Sequence, residues 1–225
     1  MTTTVRPEPL GDAKPATSPM INMGFTPEPL PANTHMCYIF NDEAERRDVI
    51  ARYTNSGMAG DEFVGYFADL DNAALVDDYL NALGIHPPDK FHRDGVMFCP
   101  AHTVYCPDGH FTARGMINRL KDLYCTCQDH HWANLRVTGE MTWALSPHIT
   151  GADQLVEYES RLNLLMDTHP LTAICQYDAN RFDGATLFEI LQVHPMMVVR
   201  GQIVRNPYYI PAREFLTSHG LPLDG

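Results

Sequence analysis

The 225-residue sequence predicts an α/β fold built on a mostly parallel sheet with helices on both faces. Short apolar runs rich in β-branched and aromatic residues alternate with segments of helical spacing from about residue 34 onward. Gly, Pro, Asp and Asn punctuate the joins. The first run, Thr34-His-Met-Cys-Tyr-Ile-Phe40, passes directly into an acidic helix start, Asn41-Asp-Glu-Ala-Glu-Arg-Arg47. That is the strand-to-helix order of α/β nucleotide-binding domains.

Each element follows from its own residues. Residues 1–33 are rich in Pro, Thr and small side chains, as in Thr26-Pro-Glu-Pro-Leu-Pro31. Such a composition buries little and reads as a flexible arm, leaving 34–225 as the folded domain. His35–Phe40 is a strand. Asp42–Ser56 places Ala44, Val49, Ile50 and Tyr53 at helical spacing and is expected to stop at Gly57. Glu62–Ala68 is a second strand. Asp71–Leu83 reads as a helix capped by Asp71 or Asn72 and closed by Gly84. Gly95–Cys99 is a short strand, and Pro100–His110 reads as a loop because of Pro100, Pro107 and Asp108-Gly109. Thr112 caps a long helix to about Asp129. Then come strand Leu135–Gly139, helix Ala152–Met166, strand Leu171–Tyr177 and helix Phe182–Val193, stopped by His194-Pro195. Met196–Arg200 and Ile203–Val204 form a closing strand pair around Gly201-Gln202.

A net charge of -12 disfavours direct, nonspecific nucleic-acid binding, and no basic helix-turn-helix is visible. The longest apolar runs fall far short of a membrane span. The N-terminus lacks the apolar stretch of a signal peptide, so the six cysteines read as cytoplasmic thiols. The first strand-to-helix turn contains no glycine, no lysine and no Ser/Thr of a phosphate loop. Asp42 and Glu43 stand where phosphate would sit and themselves suit the positive end of the helix dipole.

An ordered set of motifs resembles one family. Thr34-His-Met-Cys-Tyr-Ile-Phe40 is followed by Arg136-Val-Thr-Gly-Glu140-Met-Thr-Trp143 and Tyr158-Glu-Ser-Arg161-Leu-Asn163. Cys175-Gln-Tyr-Asp178, His194-Pro195 and Asn206-Pro-Tyr-Tyr209 complete the series. Together they resemble the MEDS domain, the methanogen/methylotroph DcmR sensory domain, over about residues 34–216. The resemblance implies a degenerate KaiC/RecA-like core without its phosphate loop. It also implies sensing of simple hydrocarbon derivatives such as C1 compounds, haloalkanes or ketones. Members usually sit beside DNA-binding, kinase or anti-sigma-antagonist modules, whereas this chain reads as a stand-alone sensory domain.

The candidate chemistry gathers on strand ends. His35 and Cys37 share one strand face and combine imidazole with thiol, a soft-metal pair that Cys175 or His194 would complete. The same residues serve equally as small-molecule contacts or as core. Glu140 ends a strand on the rim where open α/β sheets bind ligands, within reach of His35, Arg136 or Arg161. Trp143 offers an apolar wall with one donor, Tyr177 a hydroxyl and His194 an imidazole. A second set, Cys99, His102, Cys106 and His110, has two thiols and two imidazoles, at a spacing too short for a conventional zinc finger.

The expected function is a small-molecule sensor with ligand contacts at His35, Cys37, Glu140, Trp143, Tyr177 and His194. It signals through a protein partner, with a homo-oligomer as a further arrangement. No cofactor is expected; zinc or another transition metal is the alternative, in a metal- or redox-sensing Cys/His protein. A thiol-dependent enzyme on a small C1 or carbonyl compound is the second alternative.

Overall fold

The structure is a computed structural model, and it describes residues 18–71, 75–86 and 95–223. Its core is a seven-stranded sheet made of β3 (His35–Phe40), β4 (Phe63–Ala68), β5 (Val96–Pro100), β6 (Leu135–Glu140), β7 (Leu171–Asp178), β8 (Met196–Val199) and β9 (Gln202–Arg205). The spatial order is β5-β4-β6-β7-β3-β8-β9, parallel throughout except for the terminal β8–β9 hairpin. Arg200 and Gly201 carry positive φ in that hairpin, as a two-residue turn between twisted strands requires. The α/β expectation therefore holds, with helices on both faces.

One face is covered by α3 (Ala101–Tyr105), α4 (Ala113–Asp129), α5 (Leu155–Met166) and α6 (Gly184–Val193). Leu120, Tyr158, Leu162 and Ile190 pack there against Val137, Ala173 and Cys175 of the strands. The opposite face is covered by α1 (Glu43–Ala59) and α2 (Val76–Ala82), whose Ile50, Tyr53 and Leu80 meet Met36, Tyr66 and Ile174. A short α7 (Ala212–Ser218) packs on α5.

Four expectations need correction. The flexible arm does not extend through residue 33, because residues 18–33 are packed. Their antiparallel pair β1 (Met20–Ile21) and β2 (Leu30–Pro31) brings Met23 and Phe25 into the core beside Tyr53. The Asn22 carbonyl accepts from Arg136 (2.8 Å) and from Ser56 (2.9 Å), which anchors the segment. Residues 1–17 lie outside the described residues. Gly57 does not stop α1, which runs on to Ala59; a Cβ at Gly57 would lie 2.7 Å from Arg136 Cδ, so the glycine admits a close approach. The Pro100–His110 segment is not all loop, since Ala101–Tyr105 forms a helical turn. Of the two caps expected for α2, Asn72 lies outside the described residues, and the helix begins at Val76 with no side-chain cap.

At the first strand-to-helix turn, Asp42 adopts an extended conformation and accepts from the Ala44 and Glu45 amides at 2.8 and 3.1 Å. The position where α/β domains hold phosphate is filled by the chain's own carboxylate.

A buried carboxylate cluster on one face and a rim cleft

The candidate residues divide between the two faces of the sheet. On the α4/α5 face, β3 supplies His35, β7 supplies Cys175 and Tyr177, and the residue ending α6 is His194. From α5 comes Glu159, which the sequence reading quoted only as part of a motif. All five are buried, Glu159 completely. Its Oε1 accepts from the Tyr177 hydroxyl at 2.5 Å. Around Oε2 stand three groups: His35 Nε2 at 3.2 Å, His194 Nε2 at 3.4 Å and Cys175 Sγ at 3.3 Å. His35 Nε2 and Cys175 Sγ are 3.5 Å apart, and the two imidazole rings lie 4.2 Å apart between centroids.

The far side of each imidazole is also held. His194 Nδ1 donates at 2.8 Å to the carbonyl of Ile190, in the last turn of α6. His35 Nδ1 meets Asn163 Oδ1 at 3.1 Å. The amide nitrogen of Asn163 donates to the carbonyls of Val193, Glu159 and Ser160, which leaves Oδ1 as acceptor and makes His35 Nδ1 the donor. Glu159 and Asn163 are i and i+4 on α5, so one helical face carries both.

Burial pulls the Glu159 carboxyl toward neutrality, but His194 and His35 outweigh it and hold it ionised. Burial, then His194, lowers the basicity of His35. Burial and the Glu159 charge push the Cys175 thiol well up. Cys37 lies on the same face but not in this group. Its sulfur faces the Met196 carbonyl at 3.8 Å, and burial pushes its pKa to about 12. Cys37 thus stands apart from His35, whose neighbouring donor atoms are those of Glu159, Cys175 and His194, all lying within 4.8 Å of one another.

Glu140 faces the other way. Strand alternation puts Arg136, Thr138 and Glu140 on the α1 face, opposite Leu135, Val137 and Gly139. Its Oε1 accepts from Tyr66 (2.6 Å), Tyr79 (2.7 Å) and Arg46 (3.2 Å), and Oε2 accepts from the Asp69 amide (3.1 Å). Arg46 also donates to Gln176 and pairs with Glu43. None of the three expected partners of Glu140 meets it: Arg136 is paired with Glu62, Arg161 with Glu157, and His35 lies across the sheet.

The Cys99, His102, Cys106 and His110 set does not converge. Among the described residues, the only group of His, Cys, Asp and Glu donors spaced to share an ion is the one around Glu159. His110 hydrogen-bonds Thr150, Cys106 is buried, and burial pushes its thiol to about 11.

The rim carries a cleft of about 570 Å³. Its walls come from the last residue of β4, Ala68, and the segment after it (Asp69–Asp71), from the 3-10 turn Met141–Leu145 after β6, and from His102 and Cys106. After β4 the chain turns into α2 on one face and returns as β5. After β6 it turns into α5 on the other face and returns as β7. β4 and β6 are neighbours, so the cleft sits where the connections diverge, the usual ligand position in open α/β sheets. Trp143 stands in its wall, stacked on Tyr105 at 5.0 Å and tilted against Phe111 at 4.6 Å. Thr142 Oγ1 and Trp143 Nε1 are buried without a hydrogen-bond partner among the described residues. The Asp69–Arg181 ion pair, 2.8 Å, borders the cleft.

The family model of MEDS, the methanogen/methylotroph, DcmR sensory domain, matches residues 34–195. The chain belongs to this family. A curated relative is the transcriptional repressor DcmR of Methylorubrum extorquens, 26% identical over 164 residues, which cover 71% of this chain. The aligned part spans 57% of the repressor's own length. Among solved structures, a KaiC-like protein from Pyrococcus horikoshii superposes with a TM-score of 0.55 over 80% of this chain and 79% of that one. At 12% identity this likeness speaks for the fold alone: the MEDS domain has a KaiC/RecA-like α/β core. No helix among its described residues is long and apolar enough to cross a membrane.

Proposed function

We propose that this MEDS domain senses a small organic compound in the rim cleft between β4 and β6 and reports it to a protein partner. Membership of a sensory-domain family supports the sensing role. The observation that carries the location is the cleft itself, which lies at the topological switch point and has Thr142 and Trp143 in its lining. Thr142 Oγ1 and Trp143 Nε1 have no hydrogen-bond partner among the described residues and no exposed surface, so a ligand reaches them only if this wall of the cleft shifts to admit it. A small hydroxyl, carbonyl or halogen compound, polar at one end and apolar at the other, has the size and chemistry for such a site, as C1 compounds, haloalkanes and ketones do.

Of the six ligand contacts expected from the sequence, Trp143 alone lines this cleft; His35, Cys37, Glu140, Tyr177 and His194 do not. The 99–110 segment also lines the cleft, through residues that include His102 and Cys106. A ligand that prefers one arrangement of this segment shifts the surface shown to the partner. The thiol-enzyme alternative loses support, because burial pushes the thiols of Cys37, Cys99, Cys106, Cys127 and Cys175 upward, away from the reactive thiolate.

The test is indole fluorescence in a Trp132→Phe background, which leaves Trp143 as reporter. Titration with methanol, acetone and dichloromethane is expected to give a saturable change with at least one of them. Thr142→Val is expected to weaken that binding. A strictly linear response to all three, as for bulk solvent, would count against the cleft.

A further inference from the structure

We propose that His35, Glu159, Cys175 and His194 form a closed four-ligand site for one zinc ion in the core of this domain. No step of the sensing scheme uses these residues, and none of them lines the rim cleft.

Geometry comes first. Ligand bonds of about 2.0–2.3 Å arranged tetrahedrally around zinc put neighbouring donor atoms about 3.3–3.6 Å apart. The separations here are 3.2 Å for His35 Nε2–Glu159 Oε2, 3.4 Å for His194 Nε2–Glu159 Oε2, 3.3 Å for Cys175 Sγ–Glu159 Oε2 and 3.5 Å for Cys175 Sγ–His35 Nε2. All four donors lie within 4.8 Å of one another. Two imidazoles, a thiolate and a carboxylate are a donor set suited to zinc.

The direction of the lone pairs comes next. Both imidazoles give their Nδ1 proton away from the cluster, to Asn163 Oδ1 and to the Ile190 carbonyl. In the neutral rings each Nε2 is then a bare lone pair, aimed at a carboxylate oxygen that also carries only lone pairs. His194 Nε2 is fully buried and has no hydrogen-bond partner among the described residues, although Glu159 Oε2 is 3.4 Å away. Acceptors facing acceptors repel unless a cation stands among them, either a proton on one imidazole or a metal ion that also takes the place of the Cys175 thiol proton.

The surroundings match a metal centre as well. Histidine ligands of metal sites characteristically donate their other N–H to a carbonyl or carboxylate, and ligating carboxylates are themselves hydrogen-bonded. Here Asn163 and the Ile190 carbonyl hold the imidazoles, and Tyr177 holds the Oε1 of Glu159, leaving Oε2 free to ligate. A divalent ion with one thiolate and one carboxylate is also electrically neutral, which suits a dry interior. The ligands come from β3, α5, β7 and the end of α6, so the ion would tie both helices to the sheet. With four protein ligands the site has no open position and is structural in type.

The experiment uses Co(II) as a spectroscopic stand-in for zinc. The full chain is unfolded, stripped of metal with a chelator and refolded with Co(II), with circular dichroism reporting recovery of the fold. One equivalent of bound cobalt is expected, with the visible bands of a tetrahedral site and a thiolate charge-transfer band. Cys175→Ser is expected to lose the charge-transfer band and Cys37→Ala, whose sulfur lies outside the set, to keep it. Should Cys175→Ser not fold, Tyr177→Phe provides the second readout, an affinity about 10- to 100-fold weaker. A refolded wild-type chain that binds no stoichiometric Co(II) or Zn(II) overturns the proposal. So does a charge-transfer band that survives in Cys175→Ser, which would put the metal elsewhere. Neither result bears on ligand binding beside Trp143.

Discussion

Glu140 and Glu159 are both buried carboxylates in the same domain, on opposite faces of the same sheet, and they are neutralised in different ways. Glu140 has a permanent cation, Arg46, with the Tyr66 and Tyr79 hydroxyls and the Asp69 amide filling its remaining lone pairs. Nothing further is needed for that charge to stay buried. Glu159 has no Lys or Arg partner among the described residues; its neighbours are two imidazoles, a thiol and a phenol. Each can be neutral or can ligate, so the charge there depends on what the surroundings supply. The first network is complete as scaffold, whereas on the zinc proposal the second is completed only by a metal ion.

The largest effect that would break this comparison is on the scaffold side. Arg46→Met leaves Glu140 buried without its cation, and a loss of roughly 3–5 kcal/mol is expected in urea unfolding. The loss should be the same with zinc or with a chelator; if zinc rescued it, the two networks would not be independent. On the Glu159 side the expectation is reversed. Free zinc at about 1,000 times its Kd should stabilise the wild type by about 4 kcal/mol, and His194→Gln should abolish that increment.

Two smaller effects sharpen the picture. Met23→Ala should cost about 2–5 kcal/mol, since Met23 is fully buried on the Arg46 face, and the cost should not depend on zinc. A truly flexible leader would show no change. Asp42→Ala, which removes the cap of α1, should cost about 1 kcal/mol without creating phosphate affinity, because the turn still lacks glycine and lysine. Binding of inorganic phosphate by that variant would show that the carboxylate alone excludes anions.

The strands and helices were largely readable because each has a local cause. Thr112 is the observed cap of α4, as its place before helical spacing predicts, and Asp42, read as the first residue of a helix, is the cap of α1 one position before it. Gly201 closes the last hairpin with positive φ. Gly57 misled because a glycine that ends a helix and one that admits a neighbouring side chain look the same in sequence. Only Arg136, 79 positions later in the chain and packed against it, distinguishes them. The leader misled because Pro-rich composition reports on intrinsic order, while Met23 and Phe25 are buried against residues far along the chain.

The candidate site was readable in part. His35, Cys175, Tyr177 and His194 were singled out, and they do meet. Glu159 was passed over although its motif, Tyr158-Glu-Ser-Arg161-Leu-Asn163, was in view; the i, i+4 placement of Glu159 and Asn163 on one helical face was the available signal. Glu140 was assigned to the same rim because it ends a strand. Alternation fixes only that it lies opposite Gly139, not which face meets which helix.

The sequence by itself therefore determined the α/β class, the order of elements, the loss of the phosphate loop and a short set of chemically able side chains. These depend on periodicity, caps and residue type, all of which act within a few positions. Which carboxylate received the arginine, which received the imidazoles and thiol, and that Trp143 stands at the divergence of β4 and β6 were decided by the tertiary structure alone. Those outcomes depend on strand order and on which face each helix covers, and contacts between residues 35 and 159 or 46 and 140 leave no local trace in the chain.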